Sequence, residues 1–193
     1  MIEHLFQLII LFLVIFDPLA SISVFIVATK EMPDKERFNT AILSVLVAAV
    51  ISFSFLIFGQ NILLLFDTTI NDFKAAAGII LGILGIKMVL GETITHIDPS
   101  KNNSGKAIAA IIGTPLLTGP AAITTIIVSV HDYGMLVTGI AIIIVLVFTV
   151  LLFIFSGKIY KIFGVTTIQV ITTILGLITI SWGVKFVKAG FGL

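Results

Sequence analysis

The chain has 193 residues, of which 59% are hydrophobic and 11% charged, and its mean hydropathy is +1.25. Soluble domains are about 45–50% apolar and about 25% charged, so an ordinary soluble fold is excluded. The chain contains 0 cysteines, which excludes disulfide scaffolds, thiol chemistry and cysteine-based metal sites. Its formal net charge of +1 argues against a nucleic-acid partner and leaves the lipid bilayer as the expected environment.

Six apolar segments separated by polar breaks predict an all-α membrane protein with six transmembrane helices. About 20 residues suffice for one crossing, and none of the segments alternates polar and apolar residues as an outer-membrane strand does. The first segment has neither the basic leader nor the cleavage site of a signal peptide, so we expect it to be a span. The segments cover residues 3–29, 38–60, 72–91, 107–130, 134–156 and 166–188.

Basic residues are distributed unequally between the two sides that these six spans define. One side carries Lys30, Lys35, Arg37, Lys87, Lys101, Lys106, Lys158 and Lys161, and the other carries Lys74, Lys185 and Lys188. Because cytoplasmic loops of membrane proteins are enriched in lysine and arginine, the first side is predicted to be cytoplasmic. This multi-pass topology places both termini outside.

The two halves of the chain match at a nearly fixed offset, which predicts an internal repeat. At an offset of 98 residues Gly59, Gly78, Gly85, Lys87 and Thr68-Thr69-Ile70 fall on Gly157, Gly176, Gly183, Lys185 and Thr166-Thr167-Ile168; at 97, Pro18-Leu19 falls on Pro115-Leu116. Coincidence in a sequence of low diversity is the alternative. A repeat of three spans has to insert upside down relative to its copy, as in many secondary transporters. We therefore predict repeat 1 at residues 1–96, a cytoplasmic linker at 97–106 and repeat 2 at 107–193.

Helices 1 and 4 are predicted to be broken near the membrane midplane. Asp17-Pro18 lies at the centre of span 1, where an aspartate costs about 2.5–3.5 kcal/mol and a proline removes a backbone donor. Span 4 contains two glycines and two prolines between Gly113 and Pro120. A second half-helix would start at Thr114-Pro115 or at Gly119-Pro120, because proline favours the first helical position.

These two breaks predict a site for a small zwitterion. The negative charge of Asp17 favours a cation, namely an ammonium group, Na⁺ or a proton, whereas a neutral half-helix start in span 4 accepts a carboxylate. The alternatives are that Asp17 is only a helix cap and that the prolines are plain kinks; Ser21, Ser23, Thr118 and Thr124 are either ligands or structural hydroxyls. The candidate substrate-binding residues are Asp17, Pro18, Leu19, Ala20, Ser21, Thr114, Pro115, Leu116, Thr118, Gly119 and Pro120, with Asp17 also the candidate ion-coupling residue.

Small residues follow one face of span 3 and one face of span 6, which indicates close helix packing. A substrate pathway along these faces is the alternative. The stripes are Ala75, Gly78, Gly82 and Gly85 in span 3, and Thr172, Gly176, Thr179 and Gly183 in span 6.

Three motifs together resemble the MarC family of bacterial and archaeal inner-membrane proteins. They are Asp17-Pro18-Leu19, the stretch Ala76-Ala77-Gly78-Ile79-Ile80-Leu81, and Pro115-Leu116-Leu117-Thr118-Gly119-Pro120. The resemblance covers nearly the whole chain and implies a SnatA-like transporter in a prokaryotic plasma membrane. The implied substrates are small neutral amino acids of the glycine and alanine class, moved with Na⁺ or H⁺. After Leu19 the family usually has Gly-Asn-x-Pro, where this chain has Ala20-Ser21-Ile22-Ser23.

Other functions remain as alternatives to a transporter with alternating access. The sequence is also compatible with a passive channel, or with an exporter of ions or other small metabolites. An enzyme is not expected, because a single deep carboxylate lacks a base, a nucleophile or a metal partner. No cofactor and no bound metal are expected, and a homo-oligomer is left open.

Overall fold

The computed structural model describes residues 2–91 and 104–193, which are helical apart from short turns and contain no strand. Five segments in these ranges are long and apolar enough to cross a membrane: Ile2–Ala28, Asp34–Leu65, Ile70–Leu90, Met135–Ile154 and Thr166–Gly190. They coincide with predicted spans 1, 2, 3, 5 and 6. The helices are α1 (Ile2–Phe16), α2 (Pro18–Ala28), α3 (Asp34–Leu65), α4 (Ile70–Leu90), α5 (Gly105–Ile111), α6 (Pro120–Tyr133), α7 (Met135–Ile154) and α8 (Ser156–Gly190), with a π-helical segment at Ile112–Leu117. Most of the predicted linker at 97–106, and the repeat boundary at 96, lie outside the described residues.

Predicted span 4, residues 107–130, is divided into α5, the π-helical segment and α6. The N–H of Thr118 donates to the carbonyl of Gly113 over 3.1 Å, a bond that reaches back five residues as in a π-helix. Thr114 has extended backbone angles, φ −145° and ψ 121°, inside this segment. This region therefore has no single helix as long as the other five segments.

The helix ends gather at two opposite faces of the bundle. At the first, which we call the terminal face, the rings of His4 and Tyr133 lie 5.4 Å apart and the Lys74 ammonium lies 2.7 Å from an Asp132 carboxylate oxygen. At the second, which we call the Arg37 face, the Arg37 guanidinium donates to the Ser156 hydroxyl over 3.1 Å. The contacts at the terminal face thus join α1 and α4 to the end of α6, and the contact at the Arg37 face joins α3 to the start of α8.

Apolar side chains from α1 to α7 share one core. The rings of Phe25 in α2 and Phe153 in α7 stack 4.8 Å apart, and the Arg37 guanidinium lies 6.0 Å from the Phe25 ring centre. Helix α6 lies at the centre, because its residues from Thr124 to Val130 are all buried. Large apolar side chains on α3, α4, α7 and α8 are exposed, as expected of surfaces that face lipid.

Glycines bring α4 and α8 into backbone contact. A Cβ atom on Gly78 would lie 2.5 Å from the carbonyl oxygen of Gly183, and one on Gly85 would lie 2.6 Å from that of Gly176. Real Cβ atoms do not approach this closely, so these positions require glycine. A Cβ on Gly82, one turn from Gly78, would meet nothing within 4 Å. Of the small-residue faces of predicted spans 3 and 6, Gly78, Gly85, Gly176 and Gly183 thus form a helix-packing surface.

Candidate functional site

Asp17 is the single residue between α1 and α2. Its backbone is left-handed, with φ 38° and ψ 62°, and its Oδ1 atom accepts the N–H of Ala20 over 3.2 Å. Aspartate is among the few residues other than glycine that adopt this conformation readily. Pro18 follows at the first helical position, where its missing N–H costs nothing. The sequence Asp17-Pro18 therefore ends one helix and starts the next without a loop.

The backbone carbonyl group of Asp17 accepts hydrogen bonds from the first turn of α2. It accepts both the N–H of Ser21, over 3.1 Å, and the hydroxyl of Ser21, over 2.9 Å. The carboxylate is buried, yet within the described ranges only the Ala20 N–H donates to it. Ion-pair contacts in the same ranges are made by Asp132, with Lys74 and His131, and none is made by Asp17. A buried carboxylate with so few partners carries a desolvation cost that the described residues offset only in part.

The second interruption places a helix start close to the first. Helix α6 begins at Pro120 with Gly119 as its N-cap, so of the two predicted starts the chain uses Gly119-Pro120. Thr118 is buried, and its hydroxyl donates to the Gly113 carbonyl oxygen over 2.5 Å. Thr114 is exposed and is not among the lining residues of the cavities described below. Of Pro115, only its place in the π-helical segment is described.

A cavity of about 90 Å³, here called the Asp17 cavity, begins at this carboxylate. It runs from buried side chains toward exposed Gly91 and Gln169, near the Arg37 face. Its polar lining comes from α2 and α8, which belong to different predicted repeats. The lining residues are Ile15, Asp17, Ala20, Ser21, Ser23, Val24, Leu84, Met88, Gly91, Leu116, Ile168, Gln169 and Thr172.

A second cavity, of about 150 Å³, lies at the start of α6 and is here called the Pro120 cavity. Gly119, Pro120 and Lys87 are among its lining residues. Ile15, Leu84 and Leu116 line both cavities, so three apolar side chains lie between the two helix starts.

Six of the eleven predicted binding residues line these two cavities. Asp17, Ala20, Ser21 and Leu116 line the first, and Leu116, Gly119 and Pro120 line the second. Pro18 is buried, and Leu19 packs against the core rather than facing either cavity. Ser23 joins the Asp17 cavity, whereas the Thr124 hydroxyl donates to the Pro120 carbonyl oxygen over 2.9 Å.

Two polar residues of the Asp17 cavity were not among the predicted binding residues. Gln169 is the only amide side chain between Thr166 and Trp182, and an amide inside an apolar span was the available signal. Thr172 was interpreted as part of a packing stripe, because its spacing to Gly176 suits helix packing. Gly91 adds space, since a Cβ there would lie 2.7 Å from Gln169 Nε2.

The helical architecture and the buried polar site define an integral membrane protein of many apolar helices. The sequence model of a family described as "MarC family integral membrane protein" matches residues 2–192. The chain belongs to the MarC family.

Relatives in bacteria and archaea are similar over most of their length. A UPF0056 membrane protein of Buchnera aphidicola subsp. Baizongia pistaciae is 35% identical over 187 residues, covering 90% of this chain and 86% of the relative. One from Methanocaldococcus jannaschii is 30% identical over 184 residues, covering 91% and 90%. The UPF0056 membrane protein YvbG of Bacillus subtilis is 28% identical over 187 residues, covering 90% and 87%. No solved structure matches the chain.

Proposed function

We propose that the chain is a secondary transporter of small neutral amino acids of the glycine and alanine class, coupled to Na⁺ or H⁺. The observation that carries this proposal is the buried Asp17 carboxylate at a helix break, which opens into a cavity and has no described ion-pair partner. Desolvating a charge in this way is costly, and a substrate ammonium or a coupling cation offsets the cost.

The size of the Asp17 cavity favours a small substrate. Its volume of about 90 Å³ is several times the ~10–15 Å³ that one water molecule needs. Ile15, Leu84 and Leu116 limit the space on the side of the second cavity. An amino acid with no side chain or a methyl group suits this space better than one with a large side chain.

The start of α6, on the far side of Ile15, Leu84 and Leu116, would supply groups for the carboxylate of such a substrate once these side chains move apart. Ala121 and Ala122 line the Pro120 cavity, and their N–H groups precede the first helical bond, in which Ile123 donates to Gly119 over 3.1 Å. The unpaired N–H groups of a helix start and its dipole favour an anion. Lys87 lines the same cavity and adds positive charge.

Contacts between α4 and α8 support the six-span inverted repeat in this proposal. The offset of 98 residues relates Gly78 to Gly176 and Gly85 to Gly183. The contact of Gly78 with Gly183 is thereby related to the contact of Gly176 with Gly85, and both contacts are made. A pseudo-two-fold axis between the helices requires such reciprocal pairs. In this arrangement α5, the π-helical segment and α6 together form the fourth span.

The two repeats differ in how their site is closed, which supports alternating access. Between α2 and α8 the Asp17 cavity extends toward the Arg37 face. Between the corresponding α6 and α4, Lys74 and Asp132 form an ion pair at the terminal face. With the Arg37 face in the cytoplasm of a prokaryotic cell and both termini outside, this is an inward-open state.

Uptake into liposomes tests the proposed function. The purified chain, reconstituted with an imposed Na⁺ gradient, an imposed pH gradient or neither, is supplied with labelled glycine or alanine, with leucine as the bulky comparison. Saturable, gradient-dependent uptake and counterflow of glycine and alanine are expected. Flux that does not saturate would indicate a passive channel, and no flux of any small amino acid would overturn the amino acid assignment.

Single cysteines test the closed path between α4 and α6. Thr125 and Ser129 lie on the same face of α6 as Asp132, and both hydroxyls are buried with no partner among the described residues. Outward opening would hydrate them. We expect Ser129→Cys to react with a membrane-impermeant thiol reagent added outside intact cells. The reaction should be about two- to fivefold faster when Lys74→Gln is also present, because that substitution removes an ion pair worth ~0.2–1 kcal/mol. The reaction rate is measured by mass spectrometry.

Thr124→Cys is the matched control for this labelling, because the Thr124 hydroxyl already bonds the backbone of its own helix. The chain has 0 native cysteines, so each variant carries a single reactive thiol. It should react slowly with and without Lys74→Gln. A Ser129→Cys rate that equals the control rate in both backgrounds would show that α4 and α6 do not separate at this face.

A further inference from the structure

Thr172 differs from neighbouring threonines on its own helix. The hydroxyls of Thr173 and Thr179 donate to the carbonyl oxygens four residues earlier, each over 2.9 Å. This is the usual arrangement for threonine in an apolar helix. The Thr172 side chain is only 6% exposed, yet its hydroxyl has no hydrogen-bond partner among the described residues.

Four other buried hydroxyls among the described residues, those of Ser52, Thr125, Ser129 and Thr138, also lack a partner, but of these five residues Thr172 alone lines the Asp17 cavity. A buried hydroxyl without a partner costs about 1–3 kcal/mol, which backbone bonding of the kind seen at Thr179 would avoid. Thr172 instead lines the Asp17 cavity, where Asp17 and Ser21 lie on the side formed by the helix break. A ligand in this cavity that forms a hydrogen bond with the hydroxyl, or a cation that contacts its oxygen, would give the hydroxyl a partner.

Gln169 lines the same cavity one turn closer to the Arg37 face. Positions three residues apart share a helix face, so Gln169 and Thr172 form one polar edge of α8. Gly91 has no side chain that would crowd this edge. The cavity thus has oxygen-bearing groups on both walls: the Asp17 carboxylate on one, and the Thr172 hydroxyl and Gln169 amide on the other.

The internal repeat gives Thr172 a counterpart with a polar function. The offset of 98 residues relates Thr172 to Lys74, whose ammonium joins α4 to Asp132 of α6 over 2.7 Å. At the same position of α8 no side chain of α2 bonds Thr172. A bound ligand would make the equivalent link between α8 and α2.

We propose that Thr172 is a further binding residue, whose hydroxyl oxygen contacts the cation that Asp17 holds. A carboxylate, a hydroxyl and an amide oxygen suit both an ammonium group and a hard metal cation. The cation is therefore either the substrate ammonium or a coupling Na⁺. This inference rests on the proposed transport function and extends it to a residue of the second repeat.

Kinetics of the full chain in liposomes test the inference. Thr172→Val keeps the shape of the side chain and removes the hydroxyl, which should raise the KM for glycine, or the Na⁺ concentration for half-maximal uptake, about tenfold, as expected for a lost bond to a charged group. The maximal rate should change much less. Thr172→Ser should restore the affected constant to within about twofold of the original. A shift in the glycine constant identifies the ammonium, and a shift in the Na⁺ constant identifies the coupling ion.

Thr179→Val is the matched control, since this buried threonine of α8 already bonds its own backbone. It should leave both constants unchanged. Thermal unfolding of the unsubstituted chain and of each variant, with and without glycine and Na⁺, separates binding from folding. If the unsubstituted chain is neither stabilised by these ligands nor active in uptake, the proposed function fails and the inference fails with it. If it binds them and Thr172→Val binds them equally well, the inference alone is overturned.

Discussion

Replacing Asp17 with asparagine is expected to reduce gradient-driven uptake of glycine by on the order of 10- to 100-fold while leaving the fold intact. An asparagine oxygen can still accept the N–H of Ala20, and asparagine adopts left-handed backbone angles as readily as aspartate. The substitution removes only the charge. A hydrogen bond to a charged group contributes about 1.5–3 kcal/mol, which sets the expected loss.

Asp67→Asn is the control for this experiment. Asp67 is the other non-glycine residue with a positive φ in the described ranges, at 50°, and it is exposed in the turn between α3 and α4. Its substitution should leave uptake unchanged. Neither variant should lower the unfolding temperature of the original chain. Normal uptake by Asp17→Asn, with its dependence on Na⁺ and pH gradients preserved, would show that Asp17 is a helix cap only.

The second large effect is expected at the contact between α4 and α8. Gly78→Ala places a methyl group 2.5 Å from the Gly183 carbonyl oxygen, and that atom belongs to the backbone, so the helices have to separate. Forcing extra atoms into a packed interface costs about 1–3 kcal/mol, and occasionally more. For a chain of this size the unfolding temperature in detergent should fall by about 2–10 °C. Circular dichroism during heating measures the change.

Gly82→Ala is the matched substitution on the same helix. Its added Cβ meets no atom within 4 Å, so no packing is lost. Alanine also favours a helix over glycine by up to about 1 kcal/mol, and the unfolding temperature should stay the same or rise. Equal destabilisation by both substitutions would contradict the interdigitation of the two helices.

Much of the fold could be read from the sequence, because its strongest signals are local. Asp17-Pro18 combines a residue that tolerates left-handed angles with one that cannot continue a helix, and α2 does begin at Pro18. Length and hydropathy alone were enough to predict the apolar helices α3 and α7. The sequence alone could not decide whether the helix starts at Gly119-Pro120 or at Thr114-Pro115, because each pair places a proline after a residue that can cap a helix.

Features that depend on contacts between helices far apart in the sequence were not predictable in this way. Gly164, with φ 67° and ψ 170°, bends α8 so that Gln169 and Thr172 line the Asp17 cavity. Nothing near Thr172 in the sequence distinguishes a packing hydroxyl from one that faces a cavity. That distinction needs the position of α2, which lies about 150 residues earlier in the chain.

The glycine contacts between α4 and α8 have a mechanical consequence. Because these two backbones interlock at four glycines near their centres, α4 and α8 form one stiff pair. One end of this pair carries Lys74 against α6, and the other carries Gln169 beside α2. In the proposed transporter, tilting the pair away from α6 would bring its opposite end toward α2, so that opening one entrance would close the other. Such a coupling would keep both entrances from being open together and so limit leakage of an ion gradient.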